Sequence, residues 1–223
     1  MNGNVLIIGD THAPFTRPDY LDFCEGVYRR YGCDKVVHIG DEVDNHALSY
    51  HEKDANGKAI FGEMEEAIKD LKRWYRAFPK VRVCVGNHSA LPFRQANTAG
   101  IPSRWLKTYE QVWEAPAGWR WQLEWQIDDV LYEHGTGASG KNAALSRAEK
   151  HRMKTVIGHT HTYAGAQFNA SRKDLIWGLN VGCGIDHKAY AFAYAREQAN
   201  KPVLGCGVVA EGGKIPMFIP MSL

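Results

Sequence analysis

Short apolar runs in this chain end repeatedly in glycine followed by residue types that ligate metals. Val5-Leu6-Ile7-Ile8 runs into Gly9-Asp10-Thr11-His12, Val36-Val37-His38-Ile39 into Gly40-Asp41, and Val81-Arg82-Val83-Cys84-Val85 into Gly86-Asn87-His88. Val156-Ile157 runs into Gly158-His159-Thr160-His161, and Val130-Leu131-Tyr132-Glu133 into His134-Gly135. Short β-branched runs bounded by glycine read as buried strands, the glycine marking where each stops. The strand ends thereby deliver Asp10, His12, Asp41, Asn87, His134, His159 and His161. Period-two geometry points His159 and His161 the same way, although a turn beginning at Gly158 can splay them toward different targets. A lone histidine pair would carry little. Carboxylate, amide and imidazole groups gathered at several strand ends suit borderline or hard divalent ions such as Mn2+, Fe2+, Zn2+ or Ni2+.

The segments between those runs alternate in type. Pro14 and Pro18 break the loop after the first strand. Residues 19–31 then predict a helix with Leu21, Cys24, Tyr28 and Tyr31 on one stripe and Gly32 as its stop. A second strand over 35–40 completes a β-α-β unit, whose strands should be parallel. The polar stretch 51–58 reads as a mobile loop, and 62–78 as a strong helix ended by Pro79. Residues 91–118 read as a cap-like insertion, with a short helix from Pro102 carrying Trp105, Leu106, Tyr109, Val112 and Trp113. Trp119, Trp121, Leu123, Trp125 and Ile127 alternate with polar residues, which predicts one strand with one buried face. Asp128-Asp129 can turn it into 130–133 as a hairpin. Beyond it are expected a basic helix over 141–154, a hairpin of 166–168 with 175–181, a short helix within 187–200, and a closing hairpin of 203–209 with 214–219.

Composition narrows the class. A chain of 223 residues can bury one sizeable α/β core. A formal net charge of +2 gives no charge-based argument for nucleic acid. Five cysteines, an odd number with no C-x-x-C, argue against a disulfide framework and for a reducing compartment. The N-terminus shows no basic, cleavable apolar leader, and no apolar run approaches the roughly 20 residues of a membrane span. A soluble, cytoplasmic protein without a membrane partner is expected.

Taken in order, G-D-x-H at Gly9–His12, G-D-x-x-D at Gly40–Asp44, G-N-H at Gly86–His88, His134-Gly135 and G-H-x-H at Gly158–His161 resemble the calcineurin-like metallophosphoesterase superfamily. The resemblance covers most of the chain. It implies a four-layer α/β/β/α sandwich of two facing mixed sheets, with the site at the strand C-terminal ends. It also implies two divalent ions, Mn2+ foremost, with Asp10, His12 and His161 on the first and Asn87, His134 and His159 on the second. Asp41 would bridge them. His88 would sit over the site as proton donor and phosphate contact, and a metal-bridging hydroxide would attack phosphorus in line. The implied activity is hydrolysis of a phosphate mono- or diester.

Each residue also has a plainer reading. Asp10 could cap a turn, and Asn87 could be a left-handed loop residue. His38, inside a strand, reads as a satisfied core histidine. Asp44 reads as orienting a ligand or capping a helix. His46 and His51 read as solvated loop residues that could reach substrate, Cys183 as a buried small residue, and His187 as unassigned. Asn45 and Ser89 stand where the phosphoprotein phosphatases usually carry Arg and Glu, which argues against that branch; Ser89 weakens a link to Mre11-like nucleases too. For the substrate, Arg94 and Arg104 among the insertion's aromatics are candidate contacts, and Lys141, Arg147, Lys150, Arg152 and Lys154 add basic groups. These favour a nucleotide-like substrate. A DNA exo- or endonuclease is the alternative, and a binding scaffold on the same fold a further one. Scaffolds usually lose ligands, whereas here every expected ligand is present. The aromatic strand and the insertion are candidate oligomer contacts.

Overall fold

The computed structural model describes residues 3–49, 58–186, 188–189 and 201–222. The loop expected at 51–58, including His51, lies outside the described residues except for Lys58, and so do His187 and most of the helix expected within 187–200.

Two sheets face one another. The first has the order β11-β10-β1-β2-β3-β4, from β1 (Asn4–Ile8), β2 (Cys33–His38), β3 (Val81–Cys84), β4 (Trp119–Gln122), β10 (Gly205–Ala210) and β11 (Ile215–Pro220). The second has the order β5-β6-β7-β9-β8, from β5 (Glu124–Ile127), β6 (Val130–Glu133), β7 (Lys154–Ile157), β8 (Ala164–Ala170) and β9 (Leu175–Val181). The strands β1 to β4 pair in parallel, as do β6, β7 and β9, while hairpins add antiparallel edges. Parallel pairing follows from the helical crossovers: α1 (Tyr20–Arg30) joins β1 to β2, α2 (Ile60–Ala77) leads into β3, and α5 (Ala143–His151) joins β6 to β7.

The β1 run is apolar throughout because both of its faces are covered. Leu6 and Ile8 pack with Leu21, Cys24 and Val27 of α1 and Leu71 and Trp74 of α2. Val5 and Ile7 pack across the sandwich with Tyr132, Val156, Leu179 and Val181. Ala143 and Ala144 of α5 close the far side against Ile157. The result is a four-layer α/β/β/α sandwich.

The aromatic alternation was expected to be a single strand. The period holds, but the chain changes sheet within it. Trp119 and Trp121 lie on β4 and join the helix-side core, whereas Trp125 and Ile127 lie on β5 and join the core between the sheets. Leu123, at the crossing, is 76% exposed instead of buried. The turn at Asp128 and Asp129 is as expected, both in the left-handed region at φ 50° and 59°, as a two-residue hairpin requires.

The insertion differs as well. No continuous helix starts at Pro102. A helix α3 (Leu91–Thr98) comes first, then a single 3-10 turn at Ser103–Trp105, then a one-turn helix α4 (Tyr109–Val112). Leu106 is extended (ψ 145°), which breaks the helix, and Thr108 starts a new one through a capping box with Gln111. Trp105 is therefore 81% exposed while Trp113 is buried.

Trp119 is fully buried and its indole N–H donates to the Phe78 carbonyl at 2.8 Å. Trp119→Ala should lower the unfolding free energy by about 3–5 kcal/mol. Denaturant unfolding that shifts by less than about 1 kcal/mol would show that this core is not cooperative with the rest.

Candidate metal centre

The C-terminal ends of β1, β2, β3, β6 and β7 meet at one rim of the sandwich. The chain turns sharply there: His12, Asp41, His159 and His161 all adopt left-handed φ, at 48°, 47°, 68° and 44°. Such conformations cost non-glycine residues about 1–3 kcal/mol each and persist only where the surroundings fix them. The motif glycines have a separate cause. A Cβ on Gly86 would run into the Asp41 carboxylate, and one on Gly158 into the Asp10 carboxylate. Each of these strands ends in glycine because its backbone passes directly against a carboxylate supplied by another strand.

Asp10 is fully buried. Its Oδ2 accepts from the His159 backbone N–H at 3.1 Å and lies 2.8 Å from His161 Nε2. Its Oδ1 is buried with no hydrogen-bond partner among the described residues. Asp41 Oδ1 accepts from the backbone N–H groups of His88 (2.8 Å) and Ser89 (3.3 Å). Asp41 Oδ2 faces His134 Nε2 at 3.0 Å and His12 Nε2 at 3.9 Å. Asn87 Oδ1 stands 3.0 Å from the same His134 Nε2. Among the described residues three sets of ligand atoms are close enough to share an ion: Asp10 with His12 and His161, His12 with Asp41 and His88, and Asp41 with His134 and His159.

Neighbours orient the imidazoles. His134 Nδ1 is 3.2 Å from the Ile39 carbonyl, so Nδ1 carries the proton and Nε2 is turned to the site. His12 Nδ1 lies 2.5 Å from Asp44 Oδ1. His88 Nδ1 donates to the Asp44 carbonyl at 2.7 Å, leaving Nε2 for other partners. Asp44 thus orients two rings, the first of the two roles its spacing suggested.

Burial alone would raise the carboxyl of Asp41, but His134, His88 and His12 hold it well below the usual carboxylate range. Asp10 is lowered too, with burial again outweighed by His134 and His161. Among the histidines, burial pushes His12 down, and burial and the neighbouring His134 bring His159 down to about 4. His134 goes the other way, to about 9, because Asp41 and Asp10 overcome its burial. His88 is raised by Asp41 and Asp44 against burial.

His38 is the satisfied core histidine expected: Nδ1 accepts from the Gly40 N–H at 3.3 Å and Nε2 pairs with Thr11 Oγ1 at 3.0 Å, and burial lowers it to about 4. Cys183 is buried, and burial pushes its thiol upward, away from reactivity. His46 is buried in a 3-10 turn (His46–Leu48), not solvated as its polar context suggested. The cause is Glu63 of α2, which accepts from the His46 and Ala47 backbone N–H groups at 2.6 and 3.2 Å. Arg94 is exposed on α3 and Arg104 is exposed in the 3-10 turn; none of the cluster contacts just given involves either. Arg147 is engaged with Glu133 and the Thr136 carbonyl. Trp119 and Trp121 are buried in the chain's own core, whereas Leu123 on the same aromatic run and Trp105 in the insertion are exposed.

Two side-chain amides also hold the rim. Asn45 Nδ2 donates to the His88 carbonyl at 3.0 Å, and Asn180 Nδ2 donates to Thr160 Oγ1 at 2.5 Å inside the His159-Thr160-His161 turn. The sequence marks Asn45 only as a departure from the phosphoprotein phosphatase pattern. Asn180, one polar residue in an apolar run, carried the signal of a buried amide that must find a partner.

Residues 4–196 match the family model of the calcineurin-like phosphoesterase superfamily domain. Among solved structures, the chain is similar to a metallophosphoesterase from Sphaerobacter thermophilus, at 16% identity over 100% of this chain and 89% of that one, with a TM-score of 0.52. It is also similar to Vacuolar Protein Sorting 29 from Cryptosporidium parvum, at 13% identity over 96% of this chain and 87% of that one, with a TM-score of 0.50. At such identities these likenesses speak for the fold alone. No curated protein matches the chain.

Proposed function

The chain belongs to the calcineurin-like phosphoesterase superfamily, and from that premise we propose that it is a dinuclear metal-dependent phosphoesterase hydrolysing a phosphate mono- or diester of a nucleotide-like compound. One observation carries the reading: two carboxylates, an amide and five imidazoles converge at a single rim, with Asp41 and His12 each recurring in two of the three ligand sets found among the described residues. The donor set fits cations. Asp10 Oδ1 is a buried acceptor with no hydrogen-bond partner among the described residues, and Asp41 Oδ2 and Asn87 Oδ1 both crowd His134 Nε2 at 3.0 Å. Asp10, His12 and His161 would hold the first ion and Asn87, His134 and His159 the second, with Asp41 shared. Mn2+ suits this mixture of oxygen and imidazole donors, as do Fe2+, Zn2+ and Ni2+.

Two such ions supply Lewis-acid activation of water and neutralisation of phosphoryl charge. The chain's own groups do the rest. Asp44 and the Ile39 carbonyl fix the rings of His12 and His134 so that their Nε2 atoms face inward. His88, held at Nδ1, keeps Nε2 to give a proton to the leaving oxygen.

Residues 91–118 would form a partial cap in which Arg94 or Arg104 contacts the substrate phosphate. At least one of Arg94→Ala and Arg104→Ala should lower kcat/KM about 10-fold, the scale of a lost charge-assisted hydrogen bond. Unchanged kcat/KM in both would leave the segment as surface.

A cytoplasmic location is supported by five cysteines that are all buried and free, and no helix among the described residues is long and apolar enough to cross a membrane. The test of the whole reading is a screen of the Mn2+-reconstituted protein on phosphomonoesters, phosphodiesters, nucleotides and oligonucleotides. Turnover of nucleotides or small phosphoesters is expected. Cleavage confined to DNA, with strongly salt-dependent binding, would make it a nuclease. Two bound ions with no turnover of any substrate would make it a scaffold.

A further inference from the structure

Glu42 joins the three loops that carry His12, Asp41 and His88, and the steps of phosphoester hydrolysis leave it without a role. It is fully buried. Its backbone carbonyl accepts from the Ala13 N–H at 2.9 Å and from Thr11 Oγ1 at 3.0 Å, so it brackets His12. Its side chain turns the other way. Oε2 accepts from Ser89 Oγ at 2.6 Å and Oε1 from Trp121 Nε1 at 3.0 Å. Trp121 lies on β4, in register with Val83 of β3, so its indole is a fixed anchor on the sheet. Ser89 is buried, and its backbone N–H, beside that of His88, donates to Asp41 Oδ1.

We propose that Glu42 is a positioning residue for the metal centre: by gripping Ser89 against the sheet it aims Asn87 and His88 and fixes which oxygen of Asp41 faces the ions. The inference rests on the dinuclear phosphoesterase reading. Its physical basis is the division of labour on Asp41. Two N–H donors occupy Oδ1, and that leaves Oδ2 toward His134 and His12. Those donors stay in place only while the turn carrying Ser89 stays in place. Ser89 Oγ is held by Glu42, and a buried hydroxyl that loses its partner moves or costs free energy. A carboxyl group with no exposure to solvent is itself expensive to bury. Its specific use here is to meet a hydroxyl and an indole N–H at once, from a residue next to the shared carboxylate.

The experiment compares wild type, Glu42→Ala, Glu42→Gln and Ser89→Ala by calorimetric titration of the apo-protein with Mn2+, beside thermal unfolding of the same apo-proteins and kcat and KM on one substrate. Gln can accept from Trp121 and meet Ser89 through its amide, so Glu42→Gln should stay within a few-fold of wild type. Glu42→Ala and Ser89→Ala should weaken Mn2+ binding about 10–100-fold, the scale on which groups that orient ligands act, and lower kcat more than they raise KM. A folded Glu42→Ala or Ser89→Ala protein that binds Mn2+ with wild-type affinity overturns the inference, as does an effect confined to apo-protein melting. Should Glu42→Ala fail to fold, Ser89→Ala decides, since it removes the same link with less disturbance. A wild-type protein that binds no Mn2+ would instead overturn the dinuclear reading itself, a result distinct from the failure of Glu42's role.

Discussion

Asp41→Asn should strip metal from the protein. After reconstitution with Mn2+, elemental analysis is expected to find two ions per wild-type chain and fewer than one per variant chain. Asp41 is asked to accept on both sides at once: from two backbone N–H donors on Oδ1, and toward His134 and His12 on Oδ2. An asparagine has one acceptor oxygen and one NH2 donor. Turning the oxygen to the backbone donors presents NH2 to the ions; turning it to the ions sets NH2 against two N–H groups. The shared negative charge is lost in either pose. The accompanying fall in kcat/KM should be at least about 10²–10³-fold, the scale on which a single preorganised electrostatic group acts. Asp44→Asn is the comparison, because it alters a carboxylate that orients His12 and faces His88 and His46 without being shared between ions, and it should cost about 10–100-fold. Metal occupancy of Asp41→Asn at the wild-type level would remove its bridging role.

His88→Ala should separate substrates by their leaving groups. The ring stands 4.6 Å from that of His12, its Nδ1 tied to the Asp44 carbonyl, and its side chain is 22% exposed where His12 and Asp41 beside it are nearly fully buried. Such a group can reach substrate without being a required ligand. An alkoxide leaving group must be protonated in the transition state, whereas a nitrophenolate departs unaided. General-acid help is typically worth about 10²–10⁴-fold. The variant should therefore lose about that much kcat/KM on alkyl or ribose phosphoesters and far less on nitrophenyl esters, with two ions still bound. An equal loss on both substrate types would assign His88 to phosphate binding. Loss of metal would make it a ligand, consistent with its place beside His12 and Asp41 in one of the three sets.

The sequence by itself determined the parallel strands, the rim where they end and the residue types delivered there. The reason is local: a buried strand must be apolar on both faces, so where polar residues begin the strand has stopped, and glycine marks the turn. The tertiary structure alone decided everything that depends on which strand meets which. Period two says that Trp119, Trp121, Leu123, Trp125 and Ile127 share a side of an extended chain. It cannot say that the chain leaves one sheet for the other at Leu123, because that depends on pairing with β3 and β6. Likewise Gly86 and Gly158 read as strand stops, while their closer constraint is a carboxylate from another strand. Asp44 meets His12 across 32 residues, Ser89 meets Glu42 across 47, and Trp121 meets Glu42 across 79. Such pairs leave no periodic trace, since the hydrogen bond is made between loops whose approach is set by how the sheets and helices pack.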